Sequence, residues 1–457
     1  MMKEVTEFRN KRVLVLGLAK SGMSAAKLLK QLGTFVIVND MTPLEKNAEA
    51  KQLMMQYPEI KVVLGEHPVS LFEEEQIDYV VKNPGINYEN IMVKTAQKLH
   101  IPILTEVELA WYVSEADILG ITGTNGKTTT TMMINQVFNH YQNNYSILAG
   151  NIGYPASTQA VSTNSTQILT TELSSFQLMG IEKFHPHVAL ITNIYEAHLD
   201  YHHTREEYVQ AKWQIQKNMT SDDYLVLNGN QEELLILSKD TRAQVVYFAR
   251  DKRTNGAHTQ NGRIFYQDEH IMDIKELSLP GEHNLENALA TISVAKIYEI
   301  PTEIIKDALS NFAGVEHRMQ FIGKYDDVSY YNDSKATNIL STRRALSGFD
   351  NNNLILIAGG LDRNVDFSEM ADDLKNLKAL VTFGEVNDQL GNIGKQLKVP
   401  TYVFKTLDDA TKKAINLASP GDKVLLSPAN ASWDQYKNFE ERGQHFTDLV
   451  TTLVKEK

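Results

Sequence analysis

The chain has 457 residues with a formal net charge of −12, and 42% of the residues are hydrophobic. This length exceeds what one hydrophobic core normally organises, so we expect several domains. The negative charge disfavours an extended basic surface for nucleic acid, and no apolar run approaches the roughly 18–20 residues that cross a bilayer. The absence of cysteine excludes disulfides and thiol chemistry. We therefore expect a cytoplasmic protein without nucleic-acid or membrane partners, for which anionic small molecules remain possible ligands.

The N-terminal segment alternates between strand and helix patterns, which is typical of a small parallel α/β domain. The predicted strands are residues 13–16, 34–39, 62–64 and 79–82.

A glycine-containing turn, Gly17-Leu-Ala-Lys-Ser-Gly22, follows the first of these strands, and Asp40 lies about 20 residues further on. This arrangement resembles the dinucleotide-binding fingerprint, in which the acidic residue contacts a ribose. However, Ala19 stands where the second glycine would let a pyrophosphate approach the backbone, which disfavours NAD. A related nucleotide or sugar-nucleotide site is the favoured interpretation, and plain packing of a helix on a strand is the alternative.

Residues 120–130 read Gly-Ile-Thr-Gly-Thr-Asn-Gly-Lys-Thr-Thr-Thr and lie between a strand pattern and a helix pattern. Such a turn exposes backbone N–H groups at a helix N-terminus, where they bind phosphate. Lys127 offers a cation for the outer phosphates and Thr128 a hydroxyl for Mg²⁺. The first consensus glycine is replaced by Ile121. The segment nevertheless predicts a nucleoside triphosphate site.

Three polar residues further along the chain are candidates for the same site. Glu172 ends the strand predicted at residues 167–171, where a carboxylate can reach a metal near the phosphates, although a solvated glutamate would look the same. His198 follows the strand predicted at residues 188–192, and the nearby His202 and His203 compete with it for a metal or substrate role. Lys212 reads by default as an ordinary helix lysine.

Residues 222–277 show short strands and turns, and Asn255-Gly256 and Asn261-Gly262 predict hairpins there. A helix is predicted at 285–298 and a domain break between 312 and 321. Strand and helix patterns then resume, with strands predicted at 328–332, 354–358, 379–383, 401–404 and 423–426.

Polar loops follow three of these strands, beginning at Asp333, Gly359 and Ser427. Because open α/β sheets bind ligands beyond the carboxyl ends of their strands, we expect the loops to converge on one edge of the sheet. Coincidence of loop chemistry is the alternative.

Six motifs, taken in order, resemble those of the Mur ligases of bacterial cell-wall synthesis, and the resemblance spans nearly the whole chain. Within that family the likeness is to the members that add D-glutamate. The motifs are Gly123-Thr-Asn-Gly-Lys-Thr, Glu172-Leu-Ser-Ser-Phe-Gln177, His283-Asn-x-x-Asn287-Ala, His317-Arg318, Asp333-Ser-Lys-Ala-Thr-Asn338 and Ser427-Pro-x-x-Ala-Ser-x-Asp-Gln-x-Lys-Asn-Phe-Glu-x-Arg-Gly443.

The resemblance implies three α/β domains: a Rossmann-like UDP-sugar-binding domain at 1–105, a P-loop ATPase-like domain with added β-hairpins at 106–314, and a Rossmann-like amino-acid-binding domain at 315–457. It implies a monomeric ligase that uses ATP and Mg²⁺ to join D-glutamate to UDP-N-acetylmuramoyl-L-alanine through an acyl phosphate. The alternatives are another Mur ligase, a folylpolyglutamate-type ligase, a regulatory or transport P-loop ATPase, and an NAD-dependent oxidoreductase.

The resemblance also implies roles for individual residues. The implied catalytic residues are Lys127, Glu172, His198, Lys212 and Lys335, and the implied metal ligands are Thr128, Glu172, His198 and, once carbamylated, Lys212. The implied ATP contacts are Gly123, Thr124, Asn125, Gly126, Lys127, Thr128, Thr129, Asn287, Arg318 and Asp333. The implied contacts to the UDP-linked substrate are Ser21, Asp40, Asn83, Gly85, Asn151, Ser174 and Gln177, and those to D-glutamate are Lys335, Thr337, Ser432, Trp433 and Phe439. Two positions depart from the family pattern: Trp433 is often a smaller apolar residue, and Arg363 replaces a lysine found in some members.

Overall fold

The computed structural model describes residues 2–363 and 365–455, which form two compact units. The first unit runs to Ile274 and includes Glu286–Ala308, and the second comprises Lys275–Leu285 and the chain from Leu309 onward. Within the described residues, no helix is both long and apolar enough to span a membrane.

The first unit begins with a five-stranded parallel sheet in the order β3-β2-β1-β4-β5. Along β1, Val13 and Val15 enter one buried cluster, whereas Leu14 and Leu16 enter another. Both faces of the sheet are therefore covered, as parallel strands require. Its strands are β1 Arg12–Leu16, β2 Phe35–Asp40, β3 Lys61–Leu64, β4 Tyr79–Lys82 and β5 Ile103–Leu104, and its helices are α1 Lys20–Gln31, α2 Ala48–Gln56, α3 Leu71–Glu74 and α4 Ile91–Lys98.

A second parallel sheet of six strands follows, in the order β11-β10-β9-β6-β8-β7. Strand β6 lies between β8 and β9, so the turn that follows β6 is flanked by the ends of both neighbours. Its strands are β6 Asp117–Thr122, β7 Ser146–Gly150, β8 Ile168–Glu172, β9 Val188–Ile191, β10 Tyr224–Asn228 and β11 Gln244–Phe248. The helices are α5 Glu106–Val113, α6 Lys127–Tyr141, α7 Ala156–Ser162, α8 Ser175–Leu178, α9 Leu199–His202, α10 Arg205–Trp213, α11 Glu232–Leu237, α12 Glu282–Ile297 and α13 Thr302–Ser310.

The predicted hairpins of residues 222–277 are confirmed in part. An antiparallel sheet contains β12 Ala257–Gln260, β13 Arg263–Tyr266 and β14 Glu269–Asp273, and positive φ angles at Asn261 and Gly262 (50° and 75°) form the predicted two-residue turn. The hairpin predicted at Asn255-Gly256 is wrong. Asn255 instead uses its side chain to accept from the N–H of Tyr247 and to donate to the carbonyl of Val245, which caps the edge of β11.

The second unit is built on a six-stranded sheet in the order β15-β16-β20-β17-β18-β19, parallel except for the β15–β16 hairpin. The sequence analysis missed β15 because its turn consists of two aspartates, Asp326 and Asp327, with φ angles of 48° and 62°. Its strands are β15 Gln320–Tyr325, β16 Val328–Asn332, β17 Leu354–Gly360, β18 Ala379–Gly384, β19 Thr401–Val403 and β20 Lys423–Ala429, and its helices are α14 Ile339–Leu346, α15 Ala371–Leu374, α16 Asn387–Gln396, α17 Leu407–Leu417 and α18 Phe439–Lys455.

Candidate active site

The turn between β6 and α6 passes too close to its neighbours for any side chain at two positions. A Cβ atom on Gly123 (φ +147°) would lie 2.0 Å from Thr192 Oγ1, and one on Gly126 (φ +79°) would lie 2.3 Å from Asn287 Oδ1. Asn287 Oδ1 also accepts from Thr130 Oγ1 at 3.1 Å. The glycines are therefore required by contact as well as by conformation.

The end of β9 holds this turn in place. The Asn193 carbonyl accepts from the N–H of Thr124 at 2.8 Å, its Oδ1 accepts from the N–H of Asn125 at 2.9 Å, and its Nδ2 donates to the Asn125 carbonyl at 3.1 Å. Lys127 Nζ donates back to the carbonyls of Gly123 and Thr124 at 2.9 and 3.0 Å. The turn and its lysine are thus fixed by the protein itself, with Thr128 and Thr129 in the first turn of α6. The sequence analysis gave Asn193 no role. Its position shortly after a strand that neighbours β6 is the signal that could have identified it.

Glu172, the last residue of β8, places a carboxylate beside this turn. Its Oε1 accepts from Asn151 Nδ2 at 2.8 Å, and its main-chain carbonyl accepts from the N–H of Asn151. Its Oε2 is buried, and among the described residues no hydrogen-bond donor reaches it. A buried carboxylate oxygen without a donor is costly unless a cation binds there, so Glu172 fits a role as a metal ligand.

Lys212 of α10 is buried at 2% exposure, with Nζ 4.7 Å from the centre of the Tyr208 ring. Burial lowers the pKa of the Lys212 ammonium well below its usual range, the Lys127 cation lowers it further, and the Glu172 carboxylate opposes the shift. These interactions place Lys212 close to both residues, so it is no ordinary helix lysine. Tyr208 connects α10 to the phosphate-binding turn through a 3.0 Å hydrogen bond to Thr124 Oγ1.

The three neighbouring histidines have different surroundings. His202 is buried, forms a 2.8 Å hydrogen bond with Ser175 Oγ, and stacks on the Phe176 ring at an interplanar angle of 6°. These contacts give it a structural role. His198 is exposed, adopts a positive φ of 57°, and its ring lies 5.3 Å from that of Phe176. His203 is also exposed.

The predicted substrate contacts Ser174 and Gln177 cap helix α8. Gln177 Oε1 accepts from the N–H of Ser174 at 2.8 Å, and Ser174 Oγ accepts from the N–H of Gln177 at 3.3 Å. This reciprocal capping box fixes both side chains at the end of the loop that follows Glu172.

Two of the residues predicted to contact the UDP-linked substrate, Asp40 and Asn83, line a cavity of about 510 Å³ at the carboxyl edge of the first sheet. Both carboxylate oxygens of Asp40 already accept a hydrogen bond from the backbone. Oδ2 accepts from the N–H of Leu18 at 2.8 Å, and Oδ1 accepts from the N–H of Thr42 at 2.7 Å. Asn83 Nδ2 donates to Ser21 Oγ at 3.1 Å. Asn83 Oδ1 accepts from the N–H of Gly85 at 3.2 Å, so the Asn83 side chain connects Ser21 with Gly85, whereas Asp40 is not part of this connection.

A series of hydrogen-bonded polar side chains, missed by the sequence analysis, reaches this cavity at His67 and Asn90. Asn39 Nδ2 donates to the carbonyls of Val63 and Glu66, which leaves its Oδ1 to accept from His67 Nδ1 at 2.5 Å. His67 Nε2 then accepts from Asn90 Nδ2 at 3.2 Å. Burial lowers the pKa of His67, in agreement with a neutral ring held in one tautomer.

In the second unit, Asp333 follows β16. Its Oδ2 accepts from Ser427 Oγ at 2.8 Å and its Oδ1 from the N–H of Met319 at 3.2 Å. Burial raises the pKa of the Asp333 carboxyl to about 7, against the opposing effects of these hydrogen bonds and of Arg318. Arg318 Nε is buried, and among the described atoms it has no hydrogen-bond acceptor.

The three loops predicted to converge do meet at the carboxyl edge of this sheet. The N–H of Leu361 donates to the Ala431 carbonyl at 3.0 Å, and Ser334 Oγ donates to the Phe439 carbonyl at 2.8 Å. Lys335 Nζ lies 5.3 Å from the centre of the Phe439 ring. Of the other predicted D-glutamate contacts, Ser432 is buried, Thr337 is half-buried and Trp433 is 66% exposed. Arg363, which departs from the family pattern, is exposed.

Comparison with known proteins identifies the family. Family models match three consecutive segments: the MurD-like N-terminal domain of Mur ligases over residues 11–105, the Mur ligase middle domain over 121–295, and the glutamate ligase domain of Mur ligases over 317–430. The chain belongs to the Mur ligase family. The predicted resemblance and the predicted α/β fold class are thereby confirmed.

Individual Mur ligases resemble the chain over its whole length. It is 52% identical over 456 residues to the UDP-N-acetylmuramoylalanine–D-glutamate ligase of Listeria monocytogenes serotype 4b (strain F2365), covering 100% of this chain and 99% of that protein. It is 54% identical over 460 residues to the ligase of the same name from Enterococcus hirae, with the same coverage.

Solved Mur ligases share the fold at low sequence identity. The UDP-N-acetylmuramate–alanine ligase MurC of Thermotoga maritima superimposes with a TM-score of 0.56 at 19% identity, covering 96% of this chain and 99% of that one. MurF of Acinetobacter baumannii gives 0.57 at 16% identity, covering 98% and 94%.

The contact between Gly126 and Asn287 predicts the effect of one methyl group. Gly126→Ala should weaken nucleotide binding at least about tenfold, because the new Cβ must displace Asn287 and shift the turn that is predicted to hold the phosphates. Gly262→Ala is a matched control, since its φ of +75° is similar but no atom lies within 4 Å of the added Cβ. The control should cost about 1 kcal/mol of stability and leave ADP affinity unchanged in calorimetric titrations. Equal ADP affinities for the two variants would contradict this account.

The raised pKa of Asp333 predicts how the stability of the second unit depends on pH. The folded protein retains a proton on this carboxyl between the unfolded value of 3.8 and about 7, so stability falls as pH rises through this range. The Asp333→Asn variant cannot ionise, so it does not lose this stability. The difference between its free energy of unfolding and that of the wild type should therefore rise by about 2–3 kcal/mol from pH 5 to pH 8. Urea unfolding at the two pH values measures this change. Asp326→Asn, at an exposed turn, should show no such gain.

Proposed function

We propose that the chain is the Mur ligase that joins D-glutamate to UDP-N-acetylmuramoyl-L-alanine with the hydrolysis of ATP. The observation that carries this proposal is the identity above 50%, over full length, to ligases of that name from Listeria and Enterococcus. The geometry supports it, because the phosphate-binding turn, the buried carboxylate and the N-terminal cavity all lie in the same unit.

The turn at residues 123–129 is proposed to hold the ATP phosphates. The N–H groups in the first turn of α6 and the positive end of that helix would attract the phosphates, and Lys127, which is anchored on the carbonyls of Gly123 and Thr124, would add a cation. Asn287 is proposed to contact the nucleotide from α12, and Arg318 and Asp333 to contact it from the second unit. A MurF ligase of Thermotoga maritima with the same fold has been solved in complex with ADP.

The donor set also fits Mg²⁺. Glu172 Oε2 has no hydrogen-bond donor among the described residues, and Thr128 carries a hydroxyl in the first turn of α6. Since the described residues contain no cluster of three acidic or histidine side chains, phosphate oxygens and water would supply the remaining ligands. His198 is proposed to serve a second ion. Bound Mg²⁺ would neutralise charge on the phosphates.

The chemistry follows from the leaving groups. A free carboxylate is a poor acyl donor, because an oxide ion cannot leave. We propose that the carboxylate of the UDP-linked alanine attacks the γ-phosphorus and displaces ADP, which gives an acyl phosphate. The amine of D-glutamate then attacks the acyl carbon, inorganic phosphate leaves, and the ammonium proton passes to solvent. Lys127 and Lys335 reduce the repulsion between these anions.

Lys212 is proposed to be carbamylated. Burial lowers the pKa of Lys212 and so favours the neutral amine, which is the form that adds to CO₂. The product carries a negative charge in place of the cation that would repel a metal beside Glu172.

The two ends of the product are proposed to bind in different units. Ser21, Asp40, Asn83 and Gly85 hold the UDP-sugar end, with Asn151, Ser174 and Gln177 nearer the alanine. The D-glutamate contacts are Lys335, Thr337, Ser432, Trp433 and Phe439. We retain the domain boundaries 1–105, 106–314 and 315–457, a monomeric state and a cytoplasmic location as part of the proposal.

The function is tested by the dependence of phosphate release on acceptor. Purified protein with ATP and Mg²⁺ should release phosphate only when UDP-N-acetylmuramoyl-L-alanine and D-glutamate are both present. Oxygen-18 in the substrate carboxylate should appear in that phosphate, and Lys127→Ala should abolish release. Turnover without an acceptor, or with L-lysine or diaminopimelate in place of D-glutamate, would reject the proposal.

The environment of Lys212 predicts a selective loss. Lys212→Ala should lose most ligase activity, and added bicarbonate should not restore it, because the variant has no amine to carbamylate. Lys217→Ala, an exposed lysine further along the same segment, is the control and should remain active. In the wild type, carbon-13 bicarbonate should give a carbamate signal that is absent from Lys212→Ala. A fully active Lys212→Ala would rule out the carbamate role.

A further inference from the structure

Lys82, a buried residue that the ligase chemistry does not use, ends strand β4 directly before the turn Asn83-Pro84-Gly85-Ile86. It is 1% exposed. Its Nζ donates to the Ile86 carbonyl at 2.9 Å and to the Pro84 carbonyl at 3.3 Å. The lysine therefore turns back and binds the inner side of the turn that carries Asn83 and Gly85.

Tyr201 of α9 binds the same two carbonyls from the other side. Its hydroxyl lies 2.9 Å from the Ile86 oxygen and 3.2 Å from the Pro84 oxygen, and it accepts from Lys82 Nζ at 3.1 Å. A phenol has one hydrogen and satisfies one carbonyl at a time. The second carbonyl then depends on Lys82, so the two residues act as a pair of donors for a pair of acceptors.

The surroundings of Lys82 are aromatic and uncharged. Its Nζ lies 4.8 Å from the centre of the Tyr88 ring and 5.9 Å from that of Tyr201. Within the described part of the chain, no carboxylate forms an ion pair with it, and burial lowers the pKa of Lys82 to about 7. Burial without a counter-ion costs stability, and a methionine of similar length would avoid that cost. The hydrogen bonds to the turn are the interactions that offset it.

The same tyrosine also packs toward residues that are proposed to lie near the phosphates. The Tyr201 ring lies 4.4 Å from that of Phe176, and Phe176 in turn lies 5.3 Å from the His198 ring. Tyr88 makes a second connection across the unit, since its hydroxyl donates to the Met179 carbonyl at 3.1 Å. The turn is thus held between its own sheet and the segment that carries His198.

We propose that Lys82 is a positioning residue which, together with Tyr201, fixes the Asn83–Ile86 turn in the shape that presents Asn83 and Gly85 to the UDP-linked substrate. The inference rests on the proposed function and deepens it by naming what orders the nucleotide-sugar side of the site. Lys82 itself acts through the turn and does not touch the reacting atoms.

The test compares Lys82→Met, Tyr201→Phe and the double variant. Each single change should raise the KM for UDP-N-acetylmuramoyl-L-alanine about tenfold, as expected for one lost hydrogen bond to a charged or buried group, and the KM for ATP and D-glutamate should change less than about twofold. The double variant should be weakened by less than the product of the two single effects, because both donors serve the same carbonyls. Lys98→Met, at an exposed position of the same sheet domain, is the control and should match the wild type.

Calorimetric binding of the nucleotide-sugar substrate, without ATP, gives a readout that does not depend on turnover. Its Kd should rise with the KM. Tyr201→Phe keeps the ring on Phe176, so this variant tests the inference even if Lys82→Met fails to fold. Unchanged Kd in folded variants, an equal rise of KM for all three substrates, or fully multiplicative effects would overturn the inference while leaving the proposed function intact. A wild-type protein that does not bind this substrate would overturn both.

Discussion

The site in the first unit depends on one close approach, that of the backbone at residues 123–126 to the end of β9 and to α12. Thr192 and Asn287 occupy the space in which side chains at Gly123 and Gly126 would lie. Asn193 also bonds both the N–H and the carbonyl of Asn125, which holds the turn in this shape. Lys127 is likewise anchored on carbonyls of its own turn. A helix N-terminus and a cation that are held in place before a ligand binds need no reorganisation at the moment of reaction, which favours electrostatic stabilisation.

Local sequence patterns predicted the strands and helices better than they predicted which of these elements lie side by side. Most strands were predicted from apolar runs followed by glycine or polar turns, and composition alone predicted the turn between β6 and α6, whose role in binding phosphate stays a prediction. The misses have physical causes: the Asp326-Asp327 turn reaches positive φ without glycine, and Asn255 uses its side chain to finish a strand where an Asn-Gly turn was expected. The support of the site escaped prediction for another reason. Asn193, after β9, bonds the turn after β6, and Tyr201 of α9 bonds the turn after β4. Both contacts join segments that are distant in sequence, and no local pattern records them.

Burial decides which of the candidate side chains can do chemistry. Sequence spacing left His198, His202 and His203 equivalent, yet packing on Phe176 and bonding to Ser175 commit His202 to structure. Burial favours chemistry at Lys212, since exclusion of water and the nearby Lys127 cation both lower the pKa of its ammonium. An exposed helix lysine would remain an ammonium and would repel a metal. The same desolvation that makes Lys212 costly to bury is what supports its proposed reaction with CO₂.

Some buried polar atoms that find no hydrogen-bond partner among the described residues belong to residues with proposed roles in ATP binding. Stable proteins leave few buried polar atoms without partners, so each exception calls for an explanation. Two of the exceptions here, Glu172 Oε2 in the first unit and Arg318 Nε in the second, belong to residues proposed to face ATP or its metal. Asp333 adds a carboxyl that burial keeps partly protonated near neutral pH, one residue before the Ser334-Lys335 segment. An unpaired buried polar atom costs stability, and a ligand that pairs with it offsets that cost. A ligand whose own polar atoms reach such groups gains affinity from them, which supports the roles proposed for Glu172 and Arg318.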